Sequence, residues 1–159
     1  MLTVVAGMLM VAFVVSMMVT TSLDHQNDAH IRALSNNMLL QHRAAHEWVL
    51  RNDRLNGDVP AQLTGQVVNI GDWRSRVIGL GAGQALLVTW PGPNARHDQE
   101  TMRRAIAIID PNSVASMPNT GVGLLADGRV GEIAVSGISL PVGAGNAAIV
   151  TRIEENGAG

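Results

Sequence analysis

Hydrophobic positions follow a different pattern in each of three parts of the chain, and the first part is almost continuously apolar. Residues 2–19 read LTVVAGMLMVAFVVSMMV, in which only Thr3, Gly7 and Ser16 interrupt the apolar side chains. A helix of roughly 20 apolar residues spans the hydrocarbon core of a bilayer, which is about 30 Å thick. The pattern therefore predicts a transmembrane anchor over residues 1–22, with its apolar contacts at Leu2, Val5, Met8, Leu9, Val11, Phe13, Val15 and Val19.

The flanks of this run favour an uncleaved anchor over a cleaved secretory signal. No Lys or Arg precedes the run, and the first charged side chain is Asp24. A secretory signal has a basic start, a shorter apolar region and a small-residue cleavage site. The acidic flank indicates that the C-terminal part lies outside the cytoplasm. We therefore expect a single-pass membrane protein with residues 24–159 outside the cytoplasm; in a Gram-negative bacterial cell this is an inner-membrane protein with its C-terminal domain in the periplasm.

The second part, residues 23–55, has the three- and four-residue spacing of an amphipathic helix. Asn56-Gly57 and Pro60 are typical signals for the end of such a helix. We expect this stem helix to pack on the domain through one face, formed by Ile31, Leu34, Met38, Ala45, Trp48 and Val49.

The third part, residues 56–159, has short apolar runs separated by Gly, Asn and Pro, which predicts strands at 65–70, 76–80, 84–90 and 147–153. Asp127-Gly128 predicts a hairpin turn. Residues 97–110 fit either a helix or a buried strand, and we favour a short helix that leads into a strand. The expected fold class is α+β: an N-terminal transmembrane helix, then an amphipathic helix packed on an antiparallel β-sheet, with residues 56–159 forming a β-rich periplasmic domain.

Composition excludes several classes of function. All eleven basic residues are Arg and are scattered along the chain, and the net charge is -2, so no basic surface for nucleic acid is expected. The chain has no Cys, which excludes disulfides, thiolate metal sites and a cysteine nucleophile.

His42 and His46 are the strongest candidates for chemistry, because HRAAH places two imidazoles one helical turn apart. A metal site needs at least one further ligand, which His30, Asp53 or His97 would have to supply. The motif also lacks the glutamate of HExxH, and both histidines fall on the apolar half of the stem helix. We therefore favour a packing role for both and expect no metal, cofactor or catalytic residue. The glycine clusters at 79–83 and 143–148 are better explained as turns, because neither has the context of a dinucleotide-binding unit.

Three segments resemble the PilM family of type IVb pilus systems, which includes the thin pili of conjugative plasmids. They are the N-terminal apolar segment, NNML at residues 36–39, and ISLP at 138–141 followed by AIV at 148–150. The resemblance covers most of the chain and implies a membrane-anchored, non-enzymatic scaffold of the pilus assembly apparatus. Its expected partners are pilins, other assembly proteins and the lipid bilayer. Such a scaffold could accept a partner strand at a sheet edge, and self-association stays open.

Two alternatives have different consequences. A pilin-like subunit would also carry a long hydrophobic helix before an α+β head, and its leader would be cleaved after Gly7. The leader would then lack a basic residue, and the fifth mature position would be Ala12 where pilins usually carry Glu. A tethered metal- or ligand-binding domain would instead use His42 and His46.

Overall fold

The computed structural model describes residues 2–60, 68–114 and 117–154; within the first helix it describes side chains at residues 16, 17 and 22 and from residue 24 onward. The first helix, α1, spans Leu2–Asn52 without a break. At 1.5 Å per residue its 51 residues are about 77 Å long. It ends where Asp53 adopts a left-handed conformation, with φ of 52°, and the amide of Arg54 bonds to the carbonyl of Val49.

Seven antiparallel strands form the sheet, in the order β1-β2-β3-β7-β4-β5-β6. The central strands are β2 (Trp73–Gly81), β3 (Gln84–Pro91), β4 (Thr120–Ala126) and β7 (Ala147–Glu154). The outer strands have two residues each: β1 (Gly57–Asp58), β5 (Arg129–Val130) and β6 (Ile133–Ala134). The strand β7, although last in sequence, lies between β3 and β4.

A second helix, α2, spans Gln99–Ala107, and a short 3-10 helix follows at Pro111–Val114. The side chain of Asp98 caps α2 by accepting a hydrogen bond from the amide of Thr101 at 2.6 Å. The expected strand at the end of this segment is wrong, because α2 extends to Ala107 and buries Ala105 and Ile106, and residues 108–110 are not in a strand.

Most other predicted strands have observed counterparts. Strands β2, β3 and β7 contain the predicted runs at 76–80, 84–90 and 147–153, and β4 and β5 form the hairpin at Asp127-Gly128. The first half of the predicted strand at 65–70 lies outside the described residues, and residues 68–70 are not in a strand.

Apolar side chains cover both faces of the sheet. On one face, α1 and α2 pack in a cluster with Leu34, Met38, Ile106 and Ile149 at its centre. Farther along α1 on the same face, Ala45 and Val49 pack with Val77, Leu87 and Ile153. On the opposite face, the loops between residues 130 and 142 cover the sheet through Val130, Val135 and Val142. Among the described residues, five Leu, Ile or Met side chains are almost completely buried on these faces, and each such burial stabilises the fold by about 1.5–3 kcal/mol.

The structure contradicts the predicted transmembrane helix. Among the residues that the structure describes, no helix is both long and apolar enough to cross a membrane. The helix α1 has the length, but its described side chains include Asp24, Asp28 and Arg32, and it continues onto the sheet as one helix. The predicted contacts at Leu2, Val5, Met8, Leu9, Val11, Phe13, Val15 and Val19 lie outside the described side chains. The same finding contradicts the expected location as a single-pass protein of the inner membrane.

Candidate functional site

His42 lies at the centre of the interface between α1 and the sheet, where it is completely buried. Its Nδ1 atom is 2.8 Å from the hydroxyl of Thr89 on β3, and its Nε2 atom is 2.8 Å from the hydroxyl of Thr151 on β7. A neutral imidazole has one N–H donor and one acceptor nitrogen, and a hydroxyl can serve as either partner. Both ring nitrogens are therefore satisfied without a metal or water.

Two more hydroxyls extend this contact across the sheet. Ser75 of β2 lies 2.8 Å from the Thr89 hydroxyl, and Thr120 of β4 lies 2.6 Å from that of Thr151. The hydroxyl row, which we define as Ser75, Thr89, His42, Thr151 and Thr120, thus crosses four neighbouring strands. It separates the two apolar clusters under α1, since Met38 and Ala45 fall on opposite sides of His42.

Burial holds both histidines in the neutral state. Desolvation lowers the pKa of His42 from 6.5 to about 3, and repulsion from His46 adds to the effect. Desolvation also lowers the pKa of half-buried His46, and the charge of Glu47 partly offsets this. Because the row occupies both nitrogens of His42, this side chain has no lone pair left for a metal. Among the described residues, no group of three or more His, Asp or Glu could hold a metal ion.

The predicted stem positions lie at this interface. Ile31, Leu34, Met38, Ala45 and Val49 are buried, whereas Trp48 is half-buried and lies beside the guanidinium of Arg54. On another side of α1, half-buried Arg43 donates a hydrogen bond to the carbonyl of Ser113.

A second polar contact fixes the loop before β2. Asn37 of α1 accepts hydrogen bonds from the amide of Ile70 and from the indole N–H of Trp73, and donates to the carbonyl of Val68. Because Trp73 is buried, this side-chain amide satisfies a donor that would otherwise be unpaired.

The helix α1 separates from the domain near residue 30. Where its side chains are described, none before Ile31 is buried. Two side-chain contacts, one with the last turn of α2 and one with the loop that precedes α2, lie at this point. Arg104 pairs with Asp28 at 3.2 Å, and the rings of His30 and His97 meet with 3.3 Å between Nε2 and Nδ1.

A groove of about 610 Å³ lies between α2 and β4. Apolar residues such as Ile109, Val114 and Val122 line much of it, and Arg103 and Glu132 are its titratable residues. The groove adjoins one end of the hydroxyl row, because Thr120 belongs to the row and also lines the groove.

Both edges of the sheet consist of short strands, which limits the pairing of a partner protein's strand with either edge. The segment with β1 covers the middle of β2, through Gly57 opposite Val77 and a hydrogen bond from the amide of Val59 to the carbonyl of Ser75. The other edge is β6, which has only two residues. Such short edges offer few free backbone groups to a partner strand.

Sequence reasoning missed the hydroxyl row, the Asn37 contacts and the pairing of His30 with His97. The row had a usable signal: Thr89 and Thr151 each interrupt an apolar strand, in LLVTW and AIVTRI. Since a buried hydroxyl needs a partner, two such residues indicate a shared polar contact. The histidine pair had no signal in the spacing, because 67 residues separate its members.

In comparisons with known proteins, no family model, no curated protein and no solved structure matches this chain.

Proposed function

We propose that this protein is a non-enzymatic assembly component that binds other proteins through the projecting part of α1. The observation that carries the proposal is the length of α1 relative to the domain it packs on. The side chains described before Ile31 are exposed, Asp28 pairs with Arg104 of α2, and 26 residues of the helix precede Asp28. At 1.5 Å per residue, this projecting segment, residues 2–27, extends roughly 40 Å.

The projecting segment favours a helical partner. Helices in proteins gain most of their stability from packing of an apolar face, and the sequence of residues 2–19 is mainly apolar. Helices of neighbouring subunits supply such a surface by interdigitating their side chains. The short outer strands β1 and β6 make strand addition at the sheet the weaker route.

The assembly we propose is a pilus apparatus, with pilins or other assembly proteins as partners. The sequence resemblance to the PilM family supports this choice. The packing role of His42 is compatible with a scaffold, since its nitrogens bind only threonine hydroxyls.

A pilin-like subunit is the second candidate, and one observation favours it. A single unbroken helix runs from the projecting segment onto the antiparallel sheet, which is the arrangement expected of a pilin. The two candidates differ in stoichiometry: a pilin-like subunit would be incorporated along the filament, whereas an assembly component would remain at its base.

Site-specific photo-crosslinking in the cell of origin tests the proposal. The crosslinking amino acid would replace Asp24 or Asn27, with Glu47 as the matched control on the domain-packed part of α1; all three are exposed. We expect crosslinks to identified pilus components from positions 24 and 27 but not from 47. Deletion of the gene should also abolish assembled pili. Normal pili in the deletion strain, together with no pilus component crosslinked at 24 or 27, would refute the proposal.

Measurement of mature mass and location then separates the two candidates. A chain shortened after Gly7 and recovered in sheared pili identifies a pilin-like subunit. A chain that retains these residues and is missing from sheared pili identifies a scaffold.

A further inference from the structure

His30 and His97 form a contact that the packing of the core does not require. His30 is exposed on α1, at the point where the helix separates from the domain, and half-buried His97 precedes α2. Their Nε2 and Nδ1 atoms are 3.3 Å apart, and the ring centroids are 4.9 Å apart with the planes at 51°. Two ring nitrogens from different elements thus meet near the surface.

The distance between these nitrogens fits a shared metal ion better than a strong hydrogen bond. Hydrogen bonds from N–H groups usually have donor–acceptor distances of about 2.9–3.0 Å, so 3.3 Å is long. Two imidazole nitrogens on a tetrahedral zinc, each about 2.0–2.1 Å from the ion, are about 3.3–3.4 Å apart.

We propose that His30 and His97 form a two-imidazole site for a divalent transition-metal cation such as Zn²⁺, Ni²⁺ or Cu²⁺. These ions accept imidazole nitrogen readily, whereas Mg²⁺ and Ca²⁺ prefer oxygen. No third protein ligand is available among the described residues, so water or a second copy of the chain completes the coordination. The site is therefore open rather than the closed, four-ligand type that stabilises zinc domains.

Charges of both signs surround the pair: Arg96 directly precedes His97 and Arg32 follows His30 by two residues, while Asp28 and Asp98 supply carboxylates. The carboxylate of Asp98 follows His97 directly, although its hydrogen bond to the amide of Thr101 commits it to capping α2. The nearby Arg104 is paired with Asp28, which offsets its positive charge. A bound ion would join α1 to the start of α2 at the base of the projecting segment and so fix the direction in which that segment leaves the domain.

Metal titration of the purified full chain tests the site without reference to pilus function. Calorimetric titration with ZnCl₂ and NiCl₂ should give saturable binding, with one ion per chain or one per two chains if a second copy contributes. We expect H30A and H97A each to abolish it. H25A is the matched control, because His25 is exposed on the same helix five positions earlier, and it should bind as the parent chain does.

Spectroscopy of bound Cu²⁺ gives a second measurement, which counts the coordinating nitrogens directly. Electron paramagnetic resonance should show two imidazole nitrogens bound to one copper, and both H30A and H97A should reduce this to one or none. Circular dichroism establishes that each variant keeps its helical content. Absence of saturable binding tighter than about 1 mM, or binding that H30A and H97A leave intact, would overturn the proposal.

Discussion

Replacement of His42 by Gln should remove a large part of the acid sensitivity of this fold. The pKa of His42 is about 3 in the folded protein and 6.5 as an unperturbed side chain. Between these values the unfolded chain binds a proton that the folded chain excludes, so the free energy of unfolding falls as the pH falls. The slope is about 1.4 kcal/mol per pH unit, which gives a loss of about 2 kcal/mol from neutral pH down to about pH 5.

Urea unfolding followed by tryptophan fluorescence at a series of pH values measures this loss. H42Q keeps a donor and an acceptor for Thr89 and Thr151 but does not titrate, so its stability should decline less over the same range by about 2 kcal/mol. Some decline should remain, because the pKa of His46 is also lowered and acts in the same direction. H25Q, which changes an exposed histidine, should retain the parent slope. The reasoning is refuted if H42Q and the parent chain lose the same free energy.

Three further predictions concern packing around α1 and the sheet. Leu34→Ala should lower the free energy of unfolding by about 2–5 kcal/mol because Leu34 is fully buried, while Leu40→Ala, at a position 48% exposed, should change it by no more than about 0.5 kcal/mol; urea unfolding measures both. Asn37→Ala should cost about 1–3 kcal/mol and shift tryptophan emission, because it leaves the buried indole N–H of Trp73 without its acceptor; unchanged emission and stability would contradict this. Gly121→Ala should cost about 1–3 kcal/mol in thermal unfolding, because the added methyl group would overlap a backbone carbonyl of β5; a variant as stable as the parent would show that β5 moves freely.

Local patterns in the sequence were sufficient for much of the sheet and for the packed face of α1. The turn at Asp127-Gly128 is formed by two residues with positive φ, which a tight hairpin requires. The three- to four-residue spacing of Ile31, Leu34 and Met38 indicated one side of a helix, and all three are buried.

Other features depended on contacts that a local pattern does not contain. The alternating Ala and Ile residues at the end of α2 suit a strand equally well, and only packing of Ala105 and Ile106 against α1 decides for a helix. The position of β7 between β3 and β4 brings Thr151 to His42, which is 109 residues away in sequence. The hydroxyl row could therefore be suspected from the two threonines but not assembled without the strand order.

The hydroxyl row also determines how this protein would carry mechanical load. A force on the projecting segment pulls α1 along its own axis, parallel to the surface of the sheet, so the interface is loaded in shear. Apolar contacts resist such sliding weakly, because each apolar side chain that loses one apolar neighbour gains another. A slip of one helical turn, about 5.4 Å, would instead break the hydrogen bonds of His42 to both threonines at once. The row would therefore hold the helix in one position until the force is sufficient to break two buried hydrogen bonds together.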